Sequence, residues 1–194
     1  MDDTRVLEIF FEAIEDDDVE LVKFRLENDA KLASKCHPLC DCELCTKVGS
    51  IIPLINAVDE KGNTALHIAA LHGCYEIVVF LLQRGAAVEI PNRLMHTQLH
   101  YACQYNHPLI VTEFLRLGAG LDVQDLNGNT PLHFCSSNGH VECSRILIAR
   151  GADLQIQNAR GNTSLHNAAQ WGDEQLIKML LNGTASRSIS IYHS

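Results

Sequence analysis

The segment Asn127-Gly128-Asn129-Thr130-Pro131-Leu132-His133 decides the fold, because its last four positions recur through the chain. A Thr-x-Leu-His sequence begins every 33 residues, at Thr64, Thr97, Thr130 and Thr163. The polar residue five positions ahead of each threonine keeps the same period, at Asp59, Asn92, Asp125 and Asn158. A fixed period of this length is typical of a protein built from copies of one supersecondary unit.

Each copy also carries the local signals of two helices. The threonine suits a helix N-terminus, because its hydroxyl satisfies backbone N–H groups that have no partner within the helix. Apolar residues at helical spacing follow in a second stretch, for example Ile77, Val78, Leu81 and Leu82. Met95 stands where the other copies have glycine, so we expect either a strained backbone or a different turn type there.

This motif and its period are similar to the ankyrin repeat, a β-turn followed by two antiparallel helices. The resemblance implies an all-α ankyrin solenoid of helix pairs with β-turn tips. We expect an N-terminal capping helix pair at 4–28, a cysteine-rich insertion at 29–54, four repeats at 55–183 and a flexible tail at 184–194.

Composition limits the classes of partner. The chain has 194 residues and a net charge of −9, which argues against a nucleic-acid groove and against docking on anionic lipid. The start is acidic rather than basic, unlike a signal peptide, and no apolar run approaches the ~20 residues of a membrane helix. We therefore expect a cytoplasmic protein with reduced cysteines.

Four of the eight cysteines lie in one ten-residue stretch, at Cys36, Cys40, Cys42 and Cys45. Four thiolates at such spacing predict a closed structural Zn(II) site without catalytic function. His37 is an alternative ligand in place of one cysteine. A redox-sensing thiol cluster and ordinary unligated cysteines are the competing interpretations.

The residues between the first two of these cysteines are His37, Pro38 and Leu39. Metal ligands at both ends of this loop would make it a rigid, partly apolar projection that binds a partner at low entropic cost. The alternative is that Leu39 folds back on the helices.

The remaining cysteines and the periodic histidines have structural interpretations. Cys103, Cys135 and Cys143 occupy core positions of the period, whereas we expect Cys74 to be exposed enough to react. His67, His100, His133 and His166 recur at one position, which indicates hydrogen bonding between repeats. The chain contains no nucleotide fingerprint, nucleophile elbow or metalloprotease motif. We therefore predict no catalytic residues and no enzymatic activity.

A second candidate binding surface lies on the repeats. The turn tips and the exposed face of each first helix form the concave side of an ankyrin array. Four large side chains at these positions are candidate anchors for a partner protein, namely Leu94, Met95, Tyr105 and Trp171.

The string Cys36-His37-Pro38-Leu39-Cys40-x-Cys42-x-x-Cys45 before an ankyrin array resembles the Varp family, the ankyrin-repeat Rab exchange factors of endosomes. The resemblance implies that the four cysteines ligate zinc and that Pro38-Leu39 enters an apolar pocket on the phosphoesterase-like subunit of retromer. It also implies a longin-type SNARE or a Rab GTPase as a further partner. The exchange domain of that family has no counterpart in these residues, so exchange activity is not implied.

The sequence thus predicts a non-enzymatic adaptor on the cytosolic face of endosomes, docking retromer through the zinc-held loop. A generic scaffold that binds proteins on its concave face, with zinc or reduced thiols purely structural, is the alternative. A thiol redox sensor is a third class.

Overall fold

The computed structural model describes residues 3–26 and 54–190, which belong to two compact units, 1–87 and 88–194. The regular elements in these residues are helices, with one isolated antiparallel bridge between Val58 and Thr64. The cysteine-rich stretch and the residues expected to project from it lie outside the described residues.

The first unit begins with helix α1 (Asp3–Glu15) and helix α2 (19–26). Asp17 adopts φ 54° in the tight turn between them, and the carboxylate of Asp18 accepts a hydrogen bond from the N–H of Leu21 at 2.9 Å. A 3-10 helix (Leu54–Asn56), α3 (Ala65–His72) and α4 (Tyr75–Gln83) complete the described part of this unit. The helix α1 packs on α3, and the core contains Phe10, Ile14, Ile77 and Leu81, all fully buried.

The second unit contains three helix pairs, each with a short first helix and a longer second helix. Their bounds are α5 (Gln98–Gln104) and α6 (Pro108–Arg116), α7 (Pro131–Ser137) and α8 (Val141–Arg150), and α9 (Ser164–Trp171) and α10 (Glu174–Ser190). The helix α7 packs between α5 and α9, while α8 packs against α6 and α10. The two layers of helices bury leucine, isoleucine and phenylalanine side chains between them, including Phe114, Leu132 and Leu147.

The first helix of each pair begins directly after its threonine, which is the N-cap that the repeat predicts. Each threonine forms a reciprocal capping box with the histidine three residues later, at Thr64, Thr97, Thr130 and Thr163. These helices have only seven or eight residues, too few to be stable alone, so packing against neighbouring helices must stabilise them.

The last helix differs from the expected boundary at 183. Helix α10 continues to Ser190, beyond the boundary expected from the sequence. No proline follows Gly183 in this segment, and Gly183 has a packing function instead of a terminating one. A Cβ at Gly183 would lie 2.8 Å from Cδ1 of Leu154, so glycine permits the close approach of α10 to that leucine.

Candidate protein-interaction surface

The turn tips of the second unit share one rigid construction. In each tip a side-chain oxygen of the first residue accepts hydrogen bonds from the backbone N–H groups two and four residues later. The first residues are Asn92, Asp125 and Asn158, and the distances run from 2.7 to 3.1 Å. Asp and Asn suit this position because their side-chain oxygens readily accept hydrogen bonds from backbone N–H groups that follow them in the chain.

Neighbouring tips are joined to one another by backbone hydrogen bonds. The N–H of Leu126 donates to the carbonyl of Leu94 at 3.1 Å, and the N–H of Ala159 donates to the carbonyl of Asn127 at 2.8 Å. This pairing sets Leu94 beside Leu126, although 32 positions separate them in the sequence. The tips therefore form a continuous edge in this unit.

The structure at Met95 decides between the two expectations for this turn, a strained backbone or a different turn type. Its φ is 61°, and its N–H bonds to the carbonyl of Asn92 at 2.9 Å, as the N–H of Gly128 bonds to that of Asp125. The turn is therefore the same turn, with a side chain in the left-handed region that normally favours glycine. This conformation costs roughly 1–2 kcal/mol for a residue other than glycine.

Tyr105 is connected to the first tip through a second tyrosine. The rings of Tyr101 and Tyr105 stack with centroids 6.4 Å apart, and the hydroxyl of Tyr101 accepts a hydrogen bond from Nδ2 of Asn92 at 3.1 Å. We define the apolar rim as Leu94, Met95, Tyr105 and Leu126, which are 55%, 41%, 46% and 64% exposed. Three of these residues were predicted as anchors, and Leu126 is added by its pairing with Leu94.

Trp171 lies apart from the apolar rim, at the end of α9. It is 60% exposed, and its indole packs over Gly139 so closely that a Cβ on this glycine would collide with Nε1. Between Trp171 and the tips lies a polar groove of about 350 Å³ that the sequence analysis missed. The feature of the sequence that could have indicated this groove is the large number of Asn residues at and after the last two tips.

His100 and His133 connect neighbouring repeats as predicted, whereas His166 is exposed and makes no such bond within the described residues. The N–H of Thr97 donates to Nδ1 of His100, so the proton on this imidazole lies on Nε2, which donates to the carbonyl of Asn129 at 3.2 Å. His133 makes the equivalent bond to the carbonyl of Asn162 at 3.0 Å. Burial lowers the pKa of His100 to about 4 and also lowers the pKa of His133. Both histidines are therefore neutral structural groups at neutral pH.

The prediction that Cys74 is exposed and reactive is wrong. Cys74 is 5% exposed and its Sγ donates to the carbonyl of Ile14 in α1 at 3.4 Å. Burial, reinforced by the nearby Asp17, raises the pKa of this thiol to about 12, which leaves it protonated. The equivalent His140 likewise reaches back to the carbonyl of Gln104 at 3.0 Å. In these two repeats the residue ahead of the second helix thus contacts the preceding helix pair.

The other three cysteines of the described residues are buried, as predicted. Cys103, Cys135 and Cys143 are each 0% exposed, and burial raises the pKa of Cys103. Residues 3–26 and 54–190 contain no group of three or more His, Cys, Asp or Glu side chains that could hold a metal. The predicted ligands Cys36, Cys40, Cys42 and Cys45 lie outside this part, together with His37, Pro38 and Leu39.

Comparison with known families agrees with the repeat geometry. A model of three ankyrin repeats matches residues 99–189, and a single ankyrin-repeat model matches residues 61–93. Together these matches cover more than half of the sequence, so the chain belongs to the ankyrin-repeat family. Ankyrin repeats are protein-interaction modules, and neither match is to a catalytic family. Within the described residues, no helix is both long enough and apolar enough to cross a membrane.

Proposed function

We propose that this protein is a non-enzymatic adaptor that binds partner proteins through the apolar rim. The single observation that carries this proposal is the exposure of four large side chains on one edge, at fixed positions. Exposed aromatic and aliphatic anchors of this kind are typical of binding hot spots.

The hydrogen bonds of the tips explain why this rim suits binding. The backbone of Leu94 and Leu126 is fixed by the bond between the two tips and by the side-chain bonds within each tip. Tyr105 is ordered by its stacking on Tyr101. The backbone of the rim therefore has little conformational freedom to lose on association, which favours affinity for a given contact area.

The cysteine segment supplies a second docking element in this proposal. Cys36, Cys40, Cys42 and Cys45 together provide four sulfur donors, the number and type that a structural Zn(II) site requires. Zinc would hold the segment in one conformation and leave no open coordination position. His37, Pro38 and Leu39 would then form the recognition loop between the first two ligands.

The resemblance to the Varp family supplies the candidate partners. It supports binding of the phosphoesterase-like subunit of retromer by Pro38-Leu39, and of a longin-type SNARE or a Rab GTPase by the repeats. It also supports a cytoplasmic location on the cytosolic face of endosomes. These partners and this location rest on the cysteine string and the array that follows it, not on the repeats alone.

Metal analysis and two substitutions test the zinc-held loop. We expect the purified chain to contain one Zn(II) per molecule under reducing conditions. Leu39→Asp should abolish binding of the retromer subunit without changing metal content or helical circular dichroism. Cys40→Ser should lose both metal and binding, because metal binding and local folding are coupled. Full retromer binding by Leu39→Asp, or a metal-free chain, would contradict this part of the proposal.

The exposed aromatic residues favour one second candidate, a scaffold that binds only through its repeats while zinc or reduced thiols stabilise the insertion. In that case Tyr105→Ala and Trp171→Ala should weaken partner binding, and Leu39→Asp should not. Because both proposals use Tyr105, it is Leu39→Asp, measured against the same partner, that separates them.

A further inference from the structure

We propose that the polar groove between the last two tips and Trp171 binds an extended acidic peptide segment of a partner protein. This inference rests on the proposed function, because it specifies the chemistry of a partner at one site on the repeats. The groove is formed entirely by residues of the second unit.

The shape of the groove fits an extended chain rather than a compact side chain. A cavity of about 350 Å³ runs along the tips, and a second depression of about 300 Å³ adjoins it at Trp171. The two share Ser137, Asn167 and Gln170 along their common boundary. A ligand that fills both must therefore pass from the tips, over these three residues, to the indole.

The polar groups along this path suit a peptide backbone. Nδ2 of Asn167 donates to Oγ of Ser137 at 2.9 Å and to the carbonyl of His133 at 3.5 Å, which fixes the orientation of the amide. Its Oδ1 has no hydrogen-bond partner within the described residues, so it is an oriented acceptor for a peptide N–H. The side-chain amide of Gln170, which is exposed, adds a donor and an acceptor.

Arg160 makes the groove favour a ligand that carries a negative charge. It is the only ionisable side chain among the described residues that line the groove, and it is exposed. Its guanidinium makes no ion pair or hydrogen bond within the described residues, whereas its backbone N–H bonds to Oδ1 of Asn158 at 3.0 Å and fixes its position on the tip. The nearby Asp125 is buried and accepts hydrogen bonds from Asn127 and Asn129, so its charge is already compensated. A guanidinium of this kind binds a carboxylate with two parallel hydrogen bonds.

Trp171 supplies the remaining contact. Its indole is held against Gly139 and remains 60% exposed, so one face is available to a flat apolar group such as proline or an aromatic ring. The predicted ligand thus carries Asp or Glu at the tip end and such a residue at the indole end, joined by extended backbone.

Selection of linear peptides displayed on phage, using the purified full-length chain, tests this inference. We expect the selected peptides to share an acidic residue at a fixed spacing from a proline or aromatic residue. A synthetic peptide of the selected sequence should bind the Arg160→Glu variant at least about tenfold more weakly than the wild type. The control is Arg150→Glu, which makes the same charge change on the exposed last turn of α8 and should bind normally.

The pairing is tested directly by neutralising the peptide carboxylate. Replacing the acidic residue with its amide should weaken binding to the wild type but strengthen binding to Arg160→Glu, because there it removes a repulsion between two carboxylates. Selected peptides without an acidic residue, equal affinities of the two arginine variants, failure to select any peptide, or binding of neutral glycans on an array in place of peptides would each overturn the inference. The proposed function is tested independently by the Leu39 and Tyr105 variants, because neither residue lines the groove.

Discussion

In the second unit, the buried layer beneath the tips repeats the same contacts from one repeat to the next, whereas the residues on the exposed edge above it differ. Beneath the tips, each repeat of the second unit has the same Thr–His capping box, and His100 and His133 make the same bond to the next repeat. On the edge, the position of Leu94 is occupied by Asn127 and then by Arg160 in the following repeats. The buried layer therefore specifies the fold, while each exposed position is free to specify a different partner contact.

The largest expected effect on the buried layer is that of acid. In the unfolded chain histidine takes up a proton below its ordinary pKa of 6.5, whereas burial lowers the pKa of His100 to about 4. The unfolded state therefore binds more protons between these values, and stability falls as the pH falls. His100 alone should account for a loss of about 3 kcal/mol by pH 4. Urea denaturation at a series of pH values from 7 to 4 measures this loss.

Two other buried groups change stability in the same direction. Burial also lowers the pKa of His133, so its contribution is lost as the pH falls below 6.5. Hydrogen bonds from Asn129 and Asn127 outweigh burial and lower the pKa of Asp125, whose contribution is lost only at still lower pH. A stability that is constant from pH 7 to pH 5 would contradict the assignment of neutral buried histidines.

Removal of the His100 side chain should have the next largest effect. His100→Ala leaves the carbonyl of Asn129 without its imidazole donor, removes half of a capping box and opens a cavity. We expect a loss of about 2–4 kcal/mol in the free energy of unfolding. His166→Ala is the matched control, because His166 has the same capping box but is exposed. It should cost less than about 1 kcal/mol. Equal losses in the two variants would show that the bond between repeats contributes nothing.

The same contrast explains what the sequence was able to predict. The repeat, the capping threonines and the buried histidines were readable, because one physical requirement recurs in every copy. The burial of Cys74 was missed, since it depends on the carbonyl of Ile14, 60 positions away. The pairing of Leu94 with Leu126 and the groove beside Arg160 were likewise inaccessible, because they arise from the spacing of neighbouring tips. The role of Cys36, Cys40, Cys42 and Cys45 stays a prediction from the sequence.

Met95 combines an unfavourable backbone conformation with an exposed side chain, and its replacement by glycine should separate the two effects. Met95→Gly relieves the cost of φ 61° but increases the freedom of the unfolded chain, so we expect a net stabilisation of about 0.5–1 kcal/mol. The same change removes an exposed side chain of the apolar rim and should weaken binding of a partner protein. Thermal unfolding and partner affinity, measured on one preparation, should therefore move in opposite directions.

Asn106→Gly is the control for the backbone term. Asn106 also adopts φ 61°, but asparagine tolerates this conformation better than methionine, and its Oδ1 accepts a hydrogen bond from Sγ of Cys143 that glycine would remove. The gain in stability should therefore be smaller. If Met95→Gly gives no more stability than Asn106→Gly, the methionine is not strained. If it leaves partner affinity unchanged, Met95 is not part of the binding surface, and the apolar rim reduces to Leu94, Tyr105 and Leu126.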